Sequence, residues 1–543
     1  MNIRLAKWED SQEILNWWND PLTRKMMKNN IVVNYEEHKK WFESILNNKN
    51  KILLLGFIKN KKIGVVRFDK FENNNWEISI NLNPTFRGLG FGKILLSLGI
   101  EYMLQNFSVK SFFAKFKNIN IASQKTFLAN GFIIDNPNKN NNIGTYDFED
   151  KTELYCFKQY KLPPRFAYSS KEMVKINEVI DYYKSIDQDP GYNGKFEKEF
   201  CEKFSEYQGG GYTDAVATGT AAIFIALQAL QLPKGSDVLI SPVTDSGPLN
   251  AIIMLGLKPI VMDSAKNSYN INLESFLQKV TPNTSCILLV HTGGEPVKET
   301  PLIVKEAKKR GIKVLEDCSQ ATGAIIEGKR VGTYGDIAAF STMYRKNLIA
   351  GSSGGLVYTK DKNLYHLALA YADRGKQVWR EDLNQNDPGN ALFPALNFNT
   401  DEISCAIGIA SLERLDETIE KRKAFLKFFI PLLKESKVCK PYYFDETFSP
   451  FFFPIFVDTS KLKCSKIEFA KKLNEYGVGN NFHYGCLISE WEWAKSYLQN
   501  DYSTPNAKFV KDNSFNLFLN ENYTKEDAKK IIEIIKKVEK ECK

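Results

Sequence analysis

Short apolar runs alternate with helical segments through the middle of the chain, and this alternation strongly constrains the fold. The runs end near residues 217, 240, 262, 290 and 315, and a helical segment follows each of the first four. Such alternation is typical of a mostly parallel sheet covered by helices. Ligands bind these sheets at the carboxyl ends of the strands. Thr220, Asp317 and Lys346 all follow strand ends, so we expect them to converge on one site.

The residue types at these strand ends suggest a cofactor. Lys346 lies between a strand-like run and the glycine-rich turn 351–355, and Asp317 ends the preceding strand. A lysine amine forms a Schiff base with a carbonyl cofactor, and a carboxylate can keep a pyridine nitrogen protonated. Gly219 and Thr220 open a helix after a strand, where N–H groups and a hydroxyl suit a phosphate. Together these residues predict a site for pyridoxal 5′-phosphate.

A second glycine-rich turn lies in the N-terminal region, which also alternates strands and helices. The segment 87–93, with the sequence RGLGFGK, follows a strand-like run at 76–82 and precedes a helical run at 94–106. Glycines let a phosphate approach the backbone, and the N–H groups and dipole of a helix start favour an anion. On these residues alone, a plain turn before a helix is also consistent.

A break in the pattern divides the chain. Its 543 residues exceed what one hydrophobic core usually serves, so more than one domain is expected. Pro163 and Pro164 disfavour helix and sheet interior and therefore indicate a linker. We predict a first domain at residues 1–158, a linker at 159–169, a large domain at 170–415 and a small C-terminal domain at 416–543.

Charge and composition argue against several classes of function. The net charge of +9 comes from dispersed residues without a clustered basic face, which argues against a nucleic-acid partner. No apolar run approaches the length of a membrane span, so no membrane segment is expected. Four histidines and nine scattered cysteines without a C-x-x-C pair argue against a metal cluster. The odd cysteine count and the lack of a signal peptide lead us to expect a cytoplasmic protein.

The N-terminal motifs resemble those of a known family. The spacing R-x-x-G-x-G at 87–92, with N-I-A-S at 120–123 and G-F at 131–132, resembles the acyl-coenzyme A motifs of the GNAT N-acetyltransferases. The resemblance implies a mixed sheet with helices and acetyl-CoA as co-substrate. It also implies that acetyl-CoA is bound by Arg87, Gly88, Gly90, Gly92, Lys93 and Asn120.

The catalytic residues of this first domain differ from the common pattern. Phe127 stands where many GNATs have a tyrosine that acts as general acid. Help for the departing thiolate would then come from another group or from water. The base is often a glutamate on the strand before the glycine turn, and Glu77 is so placed. An exposed strand carboxylate is the competing interpretation of Glu77.

The second half of the chain carries a longer series of motifs. ATGTAAIFIAL (217–227), EDCSQATGA (316–324), GDIAAFS with its downstream lysine (335–346) and GSSGGLVYT (351–359) follow in order. With LNFNTDEISCAIGIASLERL (396–415), they resemble the DegT/DnrJ/EryC1/StrS sugar aminotransferases, a branch of the fold-type I pyridoxal-phosphate enzymes. The resemblance implies a large α/β domain with a mostly parallel sheet and a small C-terminal α/β domain.

This second resemblance implies individual roles. Lys346 binds the cofactor covalently, Asp317 pairs with its pyridine nitrogen, and Gln320 lies by its phenolic oxygen. Asn397 reaches the phosphate of a neighbouring subunit, which implies a homodimer with shared sites. The phosphate itself is held by Gly219, Thr220 and Ser341.

Several positions depart from the family's pattern. Asp245 occupies the position of an aromatic residue that usually stacks on the cofactor ring. Asn399 and Thr400 replace an Arg-Met pair, and residues 290–294 read V-H-T-G-G in place of V-H-L-Y-G. His291 and His483 are each consistent with a site residue or with a structural histidine. These departures spare the cofactor anchors and leave the identity of the sugar open.

Together, the two resemblances predict a bifunctional enzyme. The second part would use glutamate to aminate a nucleotide-linked keto-deoxy sugar, and the first would acetylate an amino sugar, such as that product. Both activities fit the synthesis of bacterial surface polysaccharide or nonulosonic acids. One alternative is a sugar dehydratase of the same fold, a branch in which histidine replaces the lysine, and Lys346 argues against it. Another is a non-enzymatic regulatory or binding protein, for which Asp245 leaves room.

Overall fold

In a computed structural model the chain forms two α/β units, Met1–Lys161 and Leu162–Lys543. The structure describes residues 1–27, 30–107, 109, 111–117, 119–135, 153–159, 162–498 and 501–543. Residues 160 and 161 of the predicted linker lie outside the described residues.

The first unit is built on a mixed sheet, as predicted. Its strands are β1 (Asn2–Leu5), β2 (Lys51–Ile58), β3 (Lys61–Lys70), β4 (Asn75–Leu82), β5 (Ser111–Lys117), β6 (Ile133–Asp135) and β7 (Glu153–Gln159). They lie in the order β1-β2-β3-β4-β5-β7-β6, and β4 and β5 are parallel neighbours. Their ladder runs only from Asn75 opposite Ser111 to Glu77 opposite Phe113. The carboxyl halves of β4 and β5 therefore have no ladder between them.

Helices cover both faces of this sheet. They are α1 (Ser11–Trp18), α2 (Pro21–Met26), α3 (Tyr35–Leu46), α4 (Phe91–Asn106) and α5 (Ile121–Leu128). Successive strand residues point to opposite faces. Val65 of β3 packs in the cluster with Trp17 and Phe42, whereas Val66 packs in the cluster with Leu95. Burial on both faces explains why β2 and β3 are apolar at most positions.

The second unit contains the predicted, mostly parallel sheet. Its strands are β8 (Tyr212–Val216), β9 (Asp237–Ile240), β10 (Lys258–Val261), β11 (Thr284–Val290), β12 (Lys313–Asp317), β13 (Ile325–Ile326), β14 (Lys329–Arg330), β15 (Ile337–Ser341) and β16 (Gly355–Thr359). The order is β10-β9-β11-β12-β15-β16-β8, with β13 and β14 in a separate pair. The first five strands of this order, β10, β9, β11, β12 and β15, are parallel to one another. Strand β16 is antiparallel to both of its neighbours.

Helices pack on both faces of this sheet. They are α6 (Ser170–Ser185), α7 (Lys195–Tyr207), α8 (Gly219–Ala229), α9 (Ser246–Met254), α10 (Leu273–Lys279), α11 (Thr300–Lys309), α12 (Lys362–Ala372) and α13 (Glu402–Glu413). Ile287 and Leu289 of β11 belong to one core cluster, and Leu288 and Val290 belong to another. Such two-sided burial requires a continuous apolar run.

The C-terminal part is a smaller α/β layer. Its strands are β17 (Cys439–Pro441), β18 (Phe452–Val457), β19 (Asn480–Asn481) and β20 (Ser514–Phe518), in the antiparallel order β17-β18-β20-β19. Its helices are α14 (Leu415–Leu433), α15 (Lys466–Glu475), α16 (Pro505–Asn513) and α17 (Lys525–Glu541). Among the helices that the described residues form, none has the length and apolar composition needed to cross a membrane.

A buried carboxylate of α13 holds the start of α7. Glu402 accepts hydrogen bonds from the N–H groups of Phe196 at 3.0 Å and Glu197 at 2.8 Å. The Tyr183 hydroxyl also donates to Glu402, at 2.9 Å. N–H groups in a first helical turn have no intrahelical partner, so Glu402 satisfies two of them and complements the helix dipole.

We expect Glu402→Ala to destabilise the protein by about 3 kcal/mol, because it leaves these buried donors without an acceptor. Thermal and urea unfolding of the full chain would measure the loss. Glu413→Ala is the matched control, since Glu413 ends the same helix and lies 3.9 Å from Lys203 in a surface ion pair. A surface pair contributes roughly 0–1 kcal/mol, so equal losses in the two variants would contradict this account of Glu402.

Candidate active sites

The carboxyl ends of β12 and β15 are neighbours and carry two of the predicted site residues. Asp317 ends β12 and is 4% exposed, and Ser341 ends β15. The Ser319 N–H donates to Asp317 Oδ1 at 3.0 Å and fixes the carboxylate. Burial raises the pKa of Asp317, and bonds from Ser319 and the charge of Lys346 partly offset this. A buried carboxylate of this kind interacts strongly with a nearby cation.

Lys346 lies in the loop that follows β15. Its Nζ atom lies 4.7 Å from the centre of the Phe451 ring. Burial lowers the pKa of the Lys346 amine, and the negative charges of Asp317 and Asp245 oppose this effect. A lowered pKa increases the neutral fraction of the amine, which is the form that acts as nucleophile or base.

A polar cradle lies at the start of α8, next to Ser341. Thr218 caps this helix by accepting a hydrogen bond from the Ala221 N–H at 2.9 Å. A Cβ atom on Gly219 would lie 2.7 Å from Ser341 Cβ, so this close approach requires glycine. A Cβ on Gly247, in the first turn of α9, would similarly lie 2.5 Å from Thr220 Oγ1. The N-terminus of α8 and two hydroxyl groups thus converge, with the first turn of α9 packed against them, and this arrangement fits a phosphate.

Two further polar groups face the same region. The Gly293 N–H donates to Gln320 Oε1 at 2.8 Å, which sets the orientation of the amide. The buried Tyr484 hydroxyl lies beside Gln320 and Cys486, but it is not aligned for a hydrogen bond with any described residue. Burial raises the pKa of Tyr484 well above its usual value, so the group is a neutral donor. Buried hydroxyl groups are normally paired, so Tyr484 fits a polar ligand atom.

Asp245, which stands at the predicted aromatic stacking position, caps helix α9. Its Oδ1 accepts a hydrogen bond from the Gly247 N–H at 3.0 Å. Its charge also raises the pKa of Lys346 and of Cys486. The carboxylate therefore has a local structural role and an electrostatic role toward the lysine.

Phe451, Tyr484 and Cys486 were not identified from the sequence. All three belong to the C-terminal part of the chain, and the Thr244 N–H donates to the Cys486 carbonyl at 2.9 Å. Their motifs have no spacing signal that links them to Lys346. The cap at Asp245 did have a sequence signal, because an aspartate before Ser-Gly-Pro is typical of a helix start.

The two histidines considered as site residues, His291 and His483, occupy different environments. His291 is fully buried; the Val297 N–H donates to its Nδ1 at 3.0 Å, and its Nε2 donates to Glu316 at 3.1 Å. Both ring nitrogens are therefore satisfied, which favours the structural interpretation of His291. His483 is exposed.

Asn397 lies beside the end of β8. It is exposed, and its Oδ1 accepts a hydrogen bond from the Asn399 N–H at 3.0 Å. The Ala217 N–H donates to the Phe398 carbonyl at 2.8 Å, which places this segment next to the strand that leads into Gly219.

The first unit has its own cavity, of about 230 Å³, along the carboxyl halves of β4 and β5. Its lining includes Asn81, Arg87, Gly92, Phe116, Asn120 and Ser123. Gly88 and Gly90 have φ values of 75° and 79°, which favour glycine. Gly90 is the N-cap of α4 and offers no side chain to cap it. The first N–H groups of α4 can therefore bind an anion.

The polar side chains predicted to bind acetyl-CoA differ in their contacts. Arg87 pairs with Asp20 at 2.5 Å and donates to Thr23 Oγ1 at 2.6 Å, so its guanidinium holds α2. Asn120 Oδ1 caps α5 by accepting a hydrogen bond from the Ser123 N–H at 3.1 Å. Lys93 is exposed.

Of the two positions considered for catalysis in the first unit, one lines the cavity and the other does not. Phe127 lines the cavity, but it is only 2% exposed and stacks on Phe116 with 5.6 Å between ring centres, so it contributes an apolar core ring and no acid. Glu77 lies where β4 still pairs with β5 and is not among the residues that line the cavity. Asn81 and Thr23, which the sequence did not single out, do line it, and Thr23 Oγ1 donates to Asn81 Oδ1 at 3.3 Å.

Comparison with known proteins confirms both resemblances. Residues 175–536 match the DegT/DnrJ/EryC1/StrS aminotransferase family, and residues 1–133 match the Acetyltransferase (GNAT) domain. GDP-perosamine synthase of Escherichia coli O157:H7 is 32% identical over 280 residues, which are 50% of this chain and 72% of the relative.

Solved structures share the fold of the second unit. An aminotransferase from Psychrobacter cryohalolentis has a TM-score of 0.64 and 24% identity, covering 70% of this chain and 99% of that one. GDP-4-keto-6-deoxymannose-3-dehydratase with a trapped PLP-glutamate geminal diamine has a TM-score of 0.62 and 23% identity, covering 68% and 98%.

We expect Asp245→Asn to lower the pKa of Lys346, because the amide removes the negative charge that favours the protonated amine. The pH dependence of Lys346 acylation in cofactor-free protein, followed by peptide mass spectrometry, would measure this shift. Asp245→Asn keeps a cap acceptor for Gly247, whereas Asp245→Ala removes it and should also destabilise the protein by about 1 kcal/mol. An unchanged Lys346 titration in both variants would contradict the electrostatic role.

Proposed function

Because the chain belongs to the DegT/DnrJ/EryC1/StrS aminotransferase family, we propose that its second unit transfers an amino group from glutamate to a nucleotide-linked keto-deoxy sugar. The observation that carries this proposal is the grouping of Lys346, Asp317 and the α8 cradle at the carboxyl edge of one sheet. The relative named GDP-perosamine synthase supports a sugar substrate. Pyridoxal 5′-phosphate is the proposed cofactor.

The chain's residues divide the work of this reaction. When bound, the cofactor supplies an electron sink for the carbon that carries the amino group. Asp317 would keep the ring nitrogen protonated. The Lys346 amine, in the neutral form that its lowered pKa favours, would take the proton from the carbon that carries the amino group and deliver it to the cofactor's reactive carbon. The residues that would hold the cofactor are Gly219, Thr220, Asp317, Gln320, Ser341 and Lys346.

We also propose that the active protein is a homodimer. Asn397 is exposed, and the Asn399 N–H bonds only to the Oδ1 atom of Asn397. The Nδ2 group of Asn397 therefore remains a donor. This donor would bind the cofactor phosphate in a second copy of the chain. Each site would then be complete only in the dimer.

For the first unit, we propose acetyl transfer from acetyl-CoA to an amino sugar. The cavity along β4 and β5 and the free N–H groups of α4 support acetyl-CoA binding by Gly88, Gly90 and Gly92. Amination creates the amine that acetylation consumes, so the two units would act in sequence. We assign this sequence to precursors of bacterial surface polysaccharide or nonulosonic acids.

The dehydratase alternative rests on a shared fold. The dehydratase structure is 23% identical, which shows the fold alone. Lys346 favours amination, because a lysine amine can both attach the cofactor and act as base. A screen of nucleotide keto sugars with glutamate would separate the two reactions, since amination adds nitrogen to the sugar and dehydration removes water.

We expect Lys346→Ala to abolish amination and to prevent covalent fixation of the cofactor by borohydride, while acetylation of a supplied amino sugar continues. Peptide mass spectrometry after reduction would locate the adduct. Lys360→Ala, at an exposed position, is the matched control and should keep the adduct. An adduct that persists in Lys346→Ala would exclude Lys346 as the attachment residue.

We expect Gly90→Ala to raise the KM for acetyl-CoA about tenfold, because a methyl group at φ 79° distorts the turn that presents the α4 N–H groups.

Glu77→Gln should lower kcat for acetylation with little change in the KM for acetyl-CoA if Glu77 is the base. Steady-state acetylation assays would measure both. Failure of wild-type protein to acetylate its own amination product would overturn the sequential model.

A further inference from the structure

The segment that enters the second unit is bound to it along its length. We call residues 162–169 the strap. Asn520 Nδ2 donates to the Pro163 carbonyl at 2.7 Å, and Arg414 Nη2 donates to the Ala167 carbonyl at 2.5 Å. Leu162 packs against the core of the C-terminal part. These contacts give the strap a fixed path.

Arg165, at the middle of the strap, contacts the loop that carries Lys346. Its Nη2 donates to the Lys346 carbonyl at 2.7 Å, and its Nη1 donates to the Tyr344 carbonyl at 3.1 Å. Its Nε lies 3.3 Å from both carboxylate oxygens of Glu521. One planar guanidinium thus joins two carbonyls of the lysine loop to the C-terminal part.

A second arginine joins the network at the residue that follows the lysine. Arg422 is 1% exposed and donates to Glu521 at 2.7 Å and to Asn347 Oδ1 at 2.5 Å. Asn347 Nδ2 in turn donates to Ser449 Oγ at 2.9 Å. The residues before and after the lysine are therefore held by one connected set of charged groups.

We propose that Arg165 is a positioning residue for Lys346; this inference rests on the proposed function of that lysine. By holding the carbonyls of residues 344 and 346 together, the guanidinium sets the direction in which the lysine side chain leaves the backbone. Misplacement of a reacting group by about 1 Å can reduce the rate about a hundredfold. Lysine cannot replace Arg165 fully, because an ammonium lacks the planar fork that reaches all three acceptors.

The strap offers an internal control for this role. Arg414 binds the same strap at Ala167 and pairs with Glu172 at 2.6 Å, and no bond from it to residues 344–347 occurs in the described part of the chain. Loss of Arg414 would loosen the strap without altering the lysine loop directly. Loss of Arg165 would release two loop carbonyls.

The test compares full-length wild type, Arg165→Ala, Arg165→Lys and Arg414→Ala without cofactor. Acetic anhydride would acylate Lys346 in competition with exposed Lys360 over a range of pH, and mass spectrometry would give the ratio. We expect Arg165→Ala to change the ratio and its pH midpoint, Arg165→Lys to give an intermediate result, and Arg414→Ala to match wild type despite a lower melting temperature. In the loaded enzyme, Arg165→Ala should lower kcat at least about tenfold, with a smaller change in the KM for glutamate.

Matching Lys346 titrations for Arg165→Ala and Arg414→Ala would overturn the positioning role. If Arg165→Ala does not fold, Glu521→Gln replaces it, because it weakens the anchor of the same guanidinium and should shift the titration in the same direction. Borohydride reduction of loaded wild type separates this inference from the proposed function. Without a Lys346 adduct the proposed function fails, whereas an adduct with unshifted titrations in the Arg165 and Glu521 variants means that only the positioning role fails.

Discussion

The second unit depends on a buried carboxylate that has four hydrogen-bond donors. Glu316 accepts from His291 and from the N–H groups of Gly332, Tyr334 and Gly335. Burial alone would raise the pKa of Glu316, and these bonds outweigh it and lower that pKa. A buried charge persists only when its bonds replace the lost hydration. Because Glu316 fixes the end of β12, the next residue, Asp317, is held in place on the opposite side of the strand.

The C-terminal part reaches the lysine through a close backbone contact. Gly294 has a φ of 90°, and a Cβ atom there would lie 2.1 Å from the Ser449 carbonyl oxygen. The N–H groups of Ser449 and Phe451 donate to the carbonyls of Gly294 and Gly293 at 2.9 and 3.2 Å. This contact places the Phe451 ring beside Lys346. This close contact explains why the segment V-H-T-G-G has glycine at both 293 and 294. Gly293, which replaces the tyrosine of the family's pattern, keeps the backbone close to Gln320.

The sequence predicted the sheet and the site residues at the ends of its strands better than it predicted the side chains that surround them. The alternation of apolar runs was sufficient for a mostly parallel sheet, because two-sided burial demands such runs. The residues at strand ends were visible for the same reason. Phe451 and Tyr484 could not be predicted, since Phe451 approaches Lys346, and Tyr484 approaches Gln320, only through tertiary packing. The ion pair of Arg87 with Asp20 likewise joins residues that no local pattern connects.

The short ladder between β4 and β5 has a consequence for how the first unit chooses a ligand. Past Glu77 and Phe113, the ladder between these two described strands does not continue, so their facing edges do not pair with each other. Open strand edges pair readily with any extended chain that carries amides. A ligand with amide groups at peptide-like spacing can pair with these edges in place of a strand, while a plain hydrocarbon arm of equal length cannot. In the acetyl-CoA binding that we propose for the first unit, the sheet would therefore select the carrier by its amide groups, independently of the acyl group.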